Sequence, residues 1–273
     1  KDLNIDFDQS VTKYKNAIGS SVQRHLLSDV PVASYLSAGF DSSTVLNRAS
    51  INRTPPDSFT GTFQEGGWYD ETSTASKIAK YNGSAFNAVN IVPENLPEMM
   101  DHLIDTLDEP RMGIGAFSQY CVAKKVAKTH KVILTGHGGD ELFSGYPIFK
   151  LVQKTGLFKA KLAEIPHLIY FAISKVRSYF SPEYGRYMPV LWDCSSRNKL
   201  LGRAHSARTW DFLELLQKKE KQPVNKVFQT YLNVYLPNLL IVEDKISMAH
   251  AIESRTPLLD NEMLLLSDSI VTP

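Results

Sequence analysis

The stretch Val32–Leu46, VASYLSAGFDSSTVL, joins an apolar run, a small-residue turn and a cluster of hydroxyls within fifteen positions. Val32, Tyr35 and Leu36 suit a buried strand that ends at Ser37. Ser42 or Ser43 is then placed to cap a helix running through Val45 and Leu46. A strand that feeds a helix through such a turn points unpaired backbone N–H groups outward, where an anion can sit. Taken alone, the turn is equally compatible with an ordinary strand-to-helix connection.

Outward from this turn the chain alternates. Residues 8–27 place Val11, Tyr14, Ile18, Val22 and Leu26 at helical spacing. Further helices are expected near 43–51 and over 70–82, 96–108 and 118–130, with Asp70 or Thr72 capping the second of these. Strands are expected near 32–36 and over 58–63, 85–92 and 131–136. Four strands separated by helices predict an α/β fold: a doubly wound, mostly parallel sheet over about residues 1–146, with ligands outside the strand carboxyl ends. Past Tyr146 the patterns turn helical, as in RTWDFLELLQKKE (208–220), and a mainly helical region is expected over about 147–273. Basic residues scattered through 150–177 read as a solvated helix face.

A chain of 273 residues with 43% hydrophobic and 22% charged residues builds a real core, as one large domain or two smaller ones. A formal net charge of +1 gives no reason to expect nucleic acid as a partner. The apolar run IPHLIYFAI (165–173) is too short to span a bilayer, so no membrane partner is expected either. Two cysteines, Cys121 and Cys194, make neither a disulfide framework nor a metal set, which suits a cytoplasmic location. The chain begins at Lys1 and is read as a piece of something longer.

A second stretch, VILTGHGGDELFSGY (132–146), repeats the architecture of the first: an apolar strand, then Gly136, His137, Gly138, Gly139, Asp140 and Glu141. Both loops follow predicted strands, so both are expected on one sheet edge, with Asp41 and Asp140 facing a shared divalent cation. Splitting ATP between its α and β phosphates develops charge that Mg²⁺ neutralises. The first loop is no Walker A loop, because Gly39 is followed by Phe40, Asp41 and Ser42 rather than Lys-Ser/Thr. Carboxylates and metal would carry the work of that missing lysine.

SAGFDSS (37–43) resembles the pyrophosphatase loop, usually SGGxDSS, of the N-type ATP pyrophosphatases. With GHGGDELFSGY (136–146) and SMAHAIESRTPLLD (247–260), the chain is similar to the C-terminal synthetase domain of the asparagine synthetase family over nearly its whole length. The resemblance implies an adenine nucleotide alpha hydrolase-like fold and an AMP-forming ligase. ATP activates a carboxylate, aspartate in the first instance, as an acyl-adenylate, and ammonia displaces AMP. It further implies that Asp41 and Asp140 hold Mg²⁺, that Ser37, Ala38, Gly39, Ser42 and Ser43 with Gly136, Gly138 and Gly139 bind the nucleotide, and that Gly61 and Thr62 contact adenine. Glu141, Lys245, Glu253 and Arg255 are candidate substrate residues, with Glu109 and Arg111 as weaker ones. A buried Glu253–Arg255 pair with a purely structural role is the alternative, and His250 reads as a packing residue.

Two departures bear on function. Ala38 stands where the family has glycine; a left-handed backbone there would cost about 1–2 kcal/mol. His137 stands where asparagine synthetases carry glutamate, beside the reacting acyl carbon. A neutral imidazole there accepts a proton from an attacking amine. An N-terminal glutaminase domain is expected to supply ammonia from glutamine in the full-length protein, and the family's charge-stabilising lysine is expected beyond residue 273. The alternatives are another amide-forming synthetase (macrolactam, β-lactam or sugar-acid) or a nucleotide-binding module without catalysis.

Overall fold

The computed structural model describes residues 7–63, 70–108, 115–146, 149 and 228–270. The chain divides into two compact units, Lys1–Gly139 with Asn238–Pro273, and Asp140–Pro237. The sequence patterns put the change of character at residue 146; the division falls a few residues earlier, and the chain returns to the first unit from Asn238.

The first unit is built on five parallel strands: β1 (Val32–Tyr35), β2 (Asp57–Phe63), β3 (Phe86–Ile91), β4 (Val132–Leu134) and β5 (Glu253–Arg255). Their order is β3-β2-β1-β4-β5. Around them run α1 (Phe7–His25), α2 (Phe40–Ala49), α3 (Thr72–Tyr81), α4 (Leu96–Leu107) and α5 (Ala116–Val126). Then follow α6 (Gly139–Phe143), α7 (Leu236–Ala249) and α8 (Asn261–Ile270). Parallel neighbours need helical crossovers, and those cover both sheet faces. Ala33, Phe59, Ile91, Ile133, Leu103, Val126, Ile246 and Ile252 form one buried cluster under α4, α5 and α7. Leu36, Leu46, Ala75 and Ala79 form another under α2 and α3.

The expected doubly wound α/β sheet is therefore present, with its four predicted strands in place. β5 lies in the stretch expected to be mainly helical; it is instead an edge strand, with Val132 opposite Glu253 and Leu134 opposite Arg255. Helix α2 also begins earlier than expected. Gly39 occupies its N-cap without a side-chain cap, and Ser42 and Ser43 lie inside its first turn. At α3 the N-cap is Glu71, without a side-chain cap, rather than Asp70 or Thr72; Asp70 Oδ1 accepts the Thr72 N–H at 3.2 Å from just before it. Most of the predicted helical region 147–227 lies outside the described residues. In the second unit Tyr146 stacks against Tyr231, with ring centroids 4.9 Å apart, in a helical segment, Tyr231–Tyr235, that leads into α7.

Candidate active site

Strand order reverses between β1 and β4, which pair directly, Val32 with Val132 and Ser34 with Leu134. Ligands of doubly wound sheets bind in the crevice outside the carboxyl ends at such a point. The two singled-out loops, 36–39 and 135–138, leave the sheet there.

The first loop holds itself in shape. The Ser42 hydroxyl accepts the Ser37 N–H at 3.1 Å and lies 2.9 Å from the Ser37 hydroxyl. Ser37 Oγ in turn accepts the Gly39 N–H at 3.0 Å. Ser43 Oγ donates to the Gly39 carbonyl at 2.7 Å. Thr60 on β2 ties the loop down by donating to the Leu36 carbonyl at 2.6 Å. The hydroxyls thus brace the turn. Ala38 has no left-handed backbone, so the cost considered for a non-glycine residue does not arise. Its N–H donates instead to the Glu71 carboxylate at 3.1 Å. An anion already sits on a loop amide.

Glycine lets the second loop dock on the first. A methyl on Gly136 would lie 2.8 Å from the Ser42 backbone nitrogen, and one on Gly139 2.3 Å from the Asp41 carboxylate. Gly138 adopts φ +98°, a left-handed conformation that strains other residues, and faces Leu259. Asp41 is half-buried in the first turn of α2. Burial, and then the charge of Asp41, push the Tyr14 phenol up to about 12. Asp140 belongs to the second unit, where burial and then the Glu141 charge hold its carboxyl above the ordinary range.

His137 stands over a buried carboxylate, that of Glu243. Glu243 on α7 is 3% exposed. It accepts hydrogen bonds from Gln119 Nε2 and, at 2.9 Å, from the Ser247 hydroxyl. His137 Nδ1 lies 3.1 Å from Thr135 Oγ1 and 3.8 Å from Glu243 Oε2. With Nδ1 protonated toward these oxygens, Nε2 is the basic nitrogen. Burial and then the Glu243 charge also push the Tyr35 phenol far above its ordinary value. The signal for Glu243 was its spacing of three and four from buried Ile246 and Ser247, which puts it on the inward face of α7.

The remaining candidates sit elsewhere. Glu141 is buried and accepts the Tyr146 hydroxyl within the second unit. Lys245 Nζ donates to the Leu107 carbonyl at 2.8 Å and to Asp108 Oδ2 at 2.7 Å. Arg255 donates to the His25 and Leu27 carbonyls, both at 2.7 Å, and so satisfies the end of α1. It also pairs with Glu253, whose side chain is 60% exposed. None of these bonds involves the 37–43 turn. Gly61 and Thr62 lie in the β2–β3 ladder, opposite Val89 and Asn90. His250 packs edge-on against Tyr120, and burial raises the Cys121 thiol. Glu109, Arg111 and Cys194 lie outside the described residues.

Mg²⁺ takes oxygen ligands, commonly one or two carboxylates plus substrate phosphates. Asp41, beside the docked loops of the first unit, and Asp140, in the second, are each a carboxylate of that kind. Among the described residues no group of three or more His, Cys, Asp or Glu is placed to hold a metal ion. No helix among them is long and apolar enough to cross a membrane.

The profile of the family described as asparagine synthase matches residues 13–267. The chain is 26% identical over 286 residues to the glutamine-hydrolyzing asparagine synthetase 1 of Bacillus subtilis, covering 99% of this chain and 45% of that protein. It is 26% identical over 271 residues to a putative glutamine-hydrolyzing asparagine synthetase of Mycobacterium tuberculosis, covering 92% and 41%. It is also 23% identical over 309 residues to the amidase chry2 of Gibberella zeae, covering 96% and 46%. The chain thus spans less than half the length of these curated relatives.

Proposed function

Because the chain belongs to the asparagine synthase family, we propose that it is the synthetase part of an ATP-dependent, AMP-forming amide ligase acting on aspartate. The observation that carries this reading is the docking of Gly136 and Gly139 on Ser42 and Asp41, which builds a braced anion-binding turn at the reversal of strand order. Phosphate oxygens displace Glu71 from the Ala38 amide and meet the N-terminal end of α2, whose dipole favours negative charge. Asp41 and Asp140 are the residues proposed to hold Mg²⁺, which would supply positive charge for the pyrophosphate leaving group. Gly61 and Thr62 at the carboxyl end of β2 are the proposed adenine contacts.

The acid's carboxylate oxygen attacks the α-phosphorus, and the bond to the bridging oxygen of pyrophosphate breaks. Ammonia then attacks the acyl carbon and AMP leaves. The proton shed by the amine passes to His137 Nε2, while Thr135 and Glu243 hold the opposite nitrogen. Ammonia is proposed to come from glutamine, hydrolysed by a partner domain in the full-length protein, as the names of the relatives suggest.

A second reading, a different amide product, is favoured by His137 and by the relatives named amidases. Incubating the full-length protein with ATP, ammonia and a panel of carboxylic acids separates the two. Pyrophosphate release with aspartate supports the first reading, release with another acid alone supports the second, and release with none removes both.

A further inference from the structure

At the opposite end of α2 from the phosphate turn, α1 and the α2–β2 connection form an open surface pocket of about 330 Å³ lined by Gly19, Gln23, Arg48, Ile51, Asn52 and Arg53. Its charge is one-sided. Neither Arg48 nor Arg53 is ion-paired with a described residue. The Arg48 Nε is buried and has no hydrogen-bond partner. Gln23 bridges the two arginines: its Oε1 accepts from Arg53 at 2.7 Å, and its Nε2 donates to the Arg48 carbonyl at 3.4 Å. Asn52, also in the lining, turns the connection through a left-handed φ of 61°. Ile51 supplies an apolar wall beside the guanidiniums, and the space in front of the Gly19 Cα is open.

Guanidinium forks match carboxylate and phosphate oxygens, and both arginines line the pocket. Pockets of a few hundred Å³ with an apolar wall and a few convergent polar groups are of small-ligand size. We propose that this pocket is a second binding site, separate from the strand carboxyl edge, for a small molecule carrying a carboxylate or phosphate group next to a compact apolar body. Helix α2 spans about 15 Å between this site and the phosphate turn, so occupancy bears on the same rigid element that carries Asp41 and Ser42.

Arginine modification by phenylglyoxal, mapped by peptide mass spectrometry on the full-length protein, reads this site without interference from the nucleotide loop. The probes are inorganic phosphate and succinate, each against sodium chloride at matched ionic strength. At about ten times Kd, a bound probe slows labelling of Arg53 and Arg48 roughly tenfold. Gly19→Leu, whose side chain enters the open space, abolishes the protection; Gln23→Ala serves the same purpose if the first variant does not fold. Protection by phosphate alone assigns a phosphate-bearing ligand, and protection by succinate alone a carboxylate-bearing one. Equal protection by chloride, persistence of protection in both variants, or none with either probe overturns the proposal.

Discussion

Replacing Gly136 by alanine puts a methyl group 2.8 Å from the backbone nitrogen of Ser42 and 3.1 Å from its Cα. Both neighbours are main-chain atoms in the first turn of α2, so neither can rotate away. To reach ordinary van der Waals contact near 3.4 Å, the loops must part by about 0.6 Å. Overpacking of this kind costs about 1–3 kcal/mol. In a chain of 273 residues that lowers Tm by roughly 2–5 °C. A misplacement approaching 1 Å also costs about tenfold to a hundredfold in rate. The assay pairs thermal unfolding with acid-dependent ATP–pyrophosphate exchange. Gly19→Ala is the control, because nothing lies within 4 Å of its added methyl and it sits inside α1. That variant should gain up to about 1 kcal/mol from helix propensity. If Gly136→Ala matched the parent in both Tm and exchange, the two loops would not be held by this contact.

Further outcomes follow from the same geometry. Glu71→Ala frees the Ala38 amide and should tighten nucleotide binding about threefold to tenfold, allowing for the exposure of Glu71; unchanged or weaker binding by calorimetry would mean phosphate does not use that amide. His137→Ala should impair amide formation more than pyrophosphate exchange, and equal losses would make it a positioning residue of the ATP loop. Glu243→Gln should slow amide formation while leaving exchange intact, since it acts by positioning the imidazole; equal losses in the two assays argue against that coupling. Burial works to raise the Asp260 carboxyl, yet the Glu262 N–H and Arg24 hold it below its ordinary range. A depressed folded value stabilises above the unfolded carboxylate pKa of about 3.9 and is lost as pH falls through the folded one. Asp260→Asn should therefore show a smaller loss of Tm between neutral and acid pH than the parent.

The parallel sheet was legible because each strand carries an apolar run closed by a turn, and because helical spacing recurs between them. β5 was not. Its three residues, Glu253, Ser254 and Arg255, carry no apolar alternation, and an edge strand is specified by its neighbour β4 rather than by its own pattern. The two loops announced themselves through glycine and aspartate placement. What glycine does there became visible only with Ser42 and Asp41 in contact with it. Ser42 and Ser43 looked like caps because capping is a local preference. Within the fold they brace the turn, and Gly39 takes the cap position. Glu243 sits on the inward face of a helix whose charged neighbours Asp244 and Lys245 point to a solvated run. Its partners, Gln119 and His137, are over a hundred residues away in sequence, beyond any local signal.

The central claim is adenylation of a carboxylate at the turn built by Ser37–Ser43. Its most direct test follows ¹⁸O from a doubly labelled acid substrate through one round of amide formation by the full-length protein, with the phosphorus products analysed by mass spectrometry. Adenylation leaves one ¹⁸O atom in AMP and none in pyrophosphate, with the transfer lost in Asp41→Asn. Label recovered in inorganic phosphate alongside ADP would contradict it, because the acid would then have been activated at the γ-phosphate.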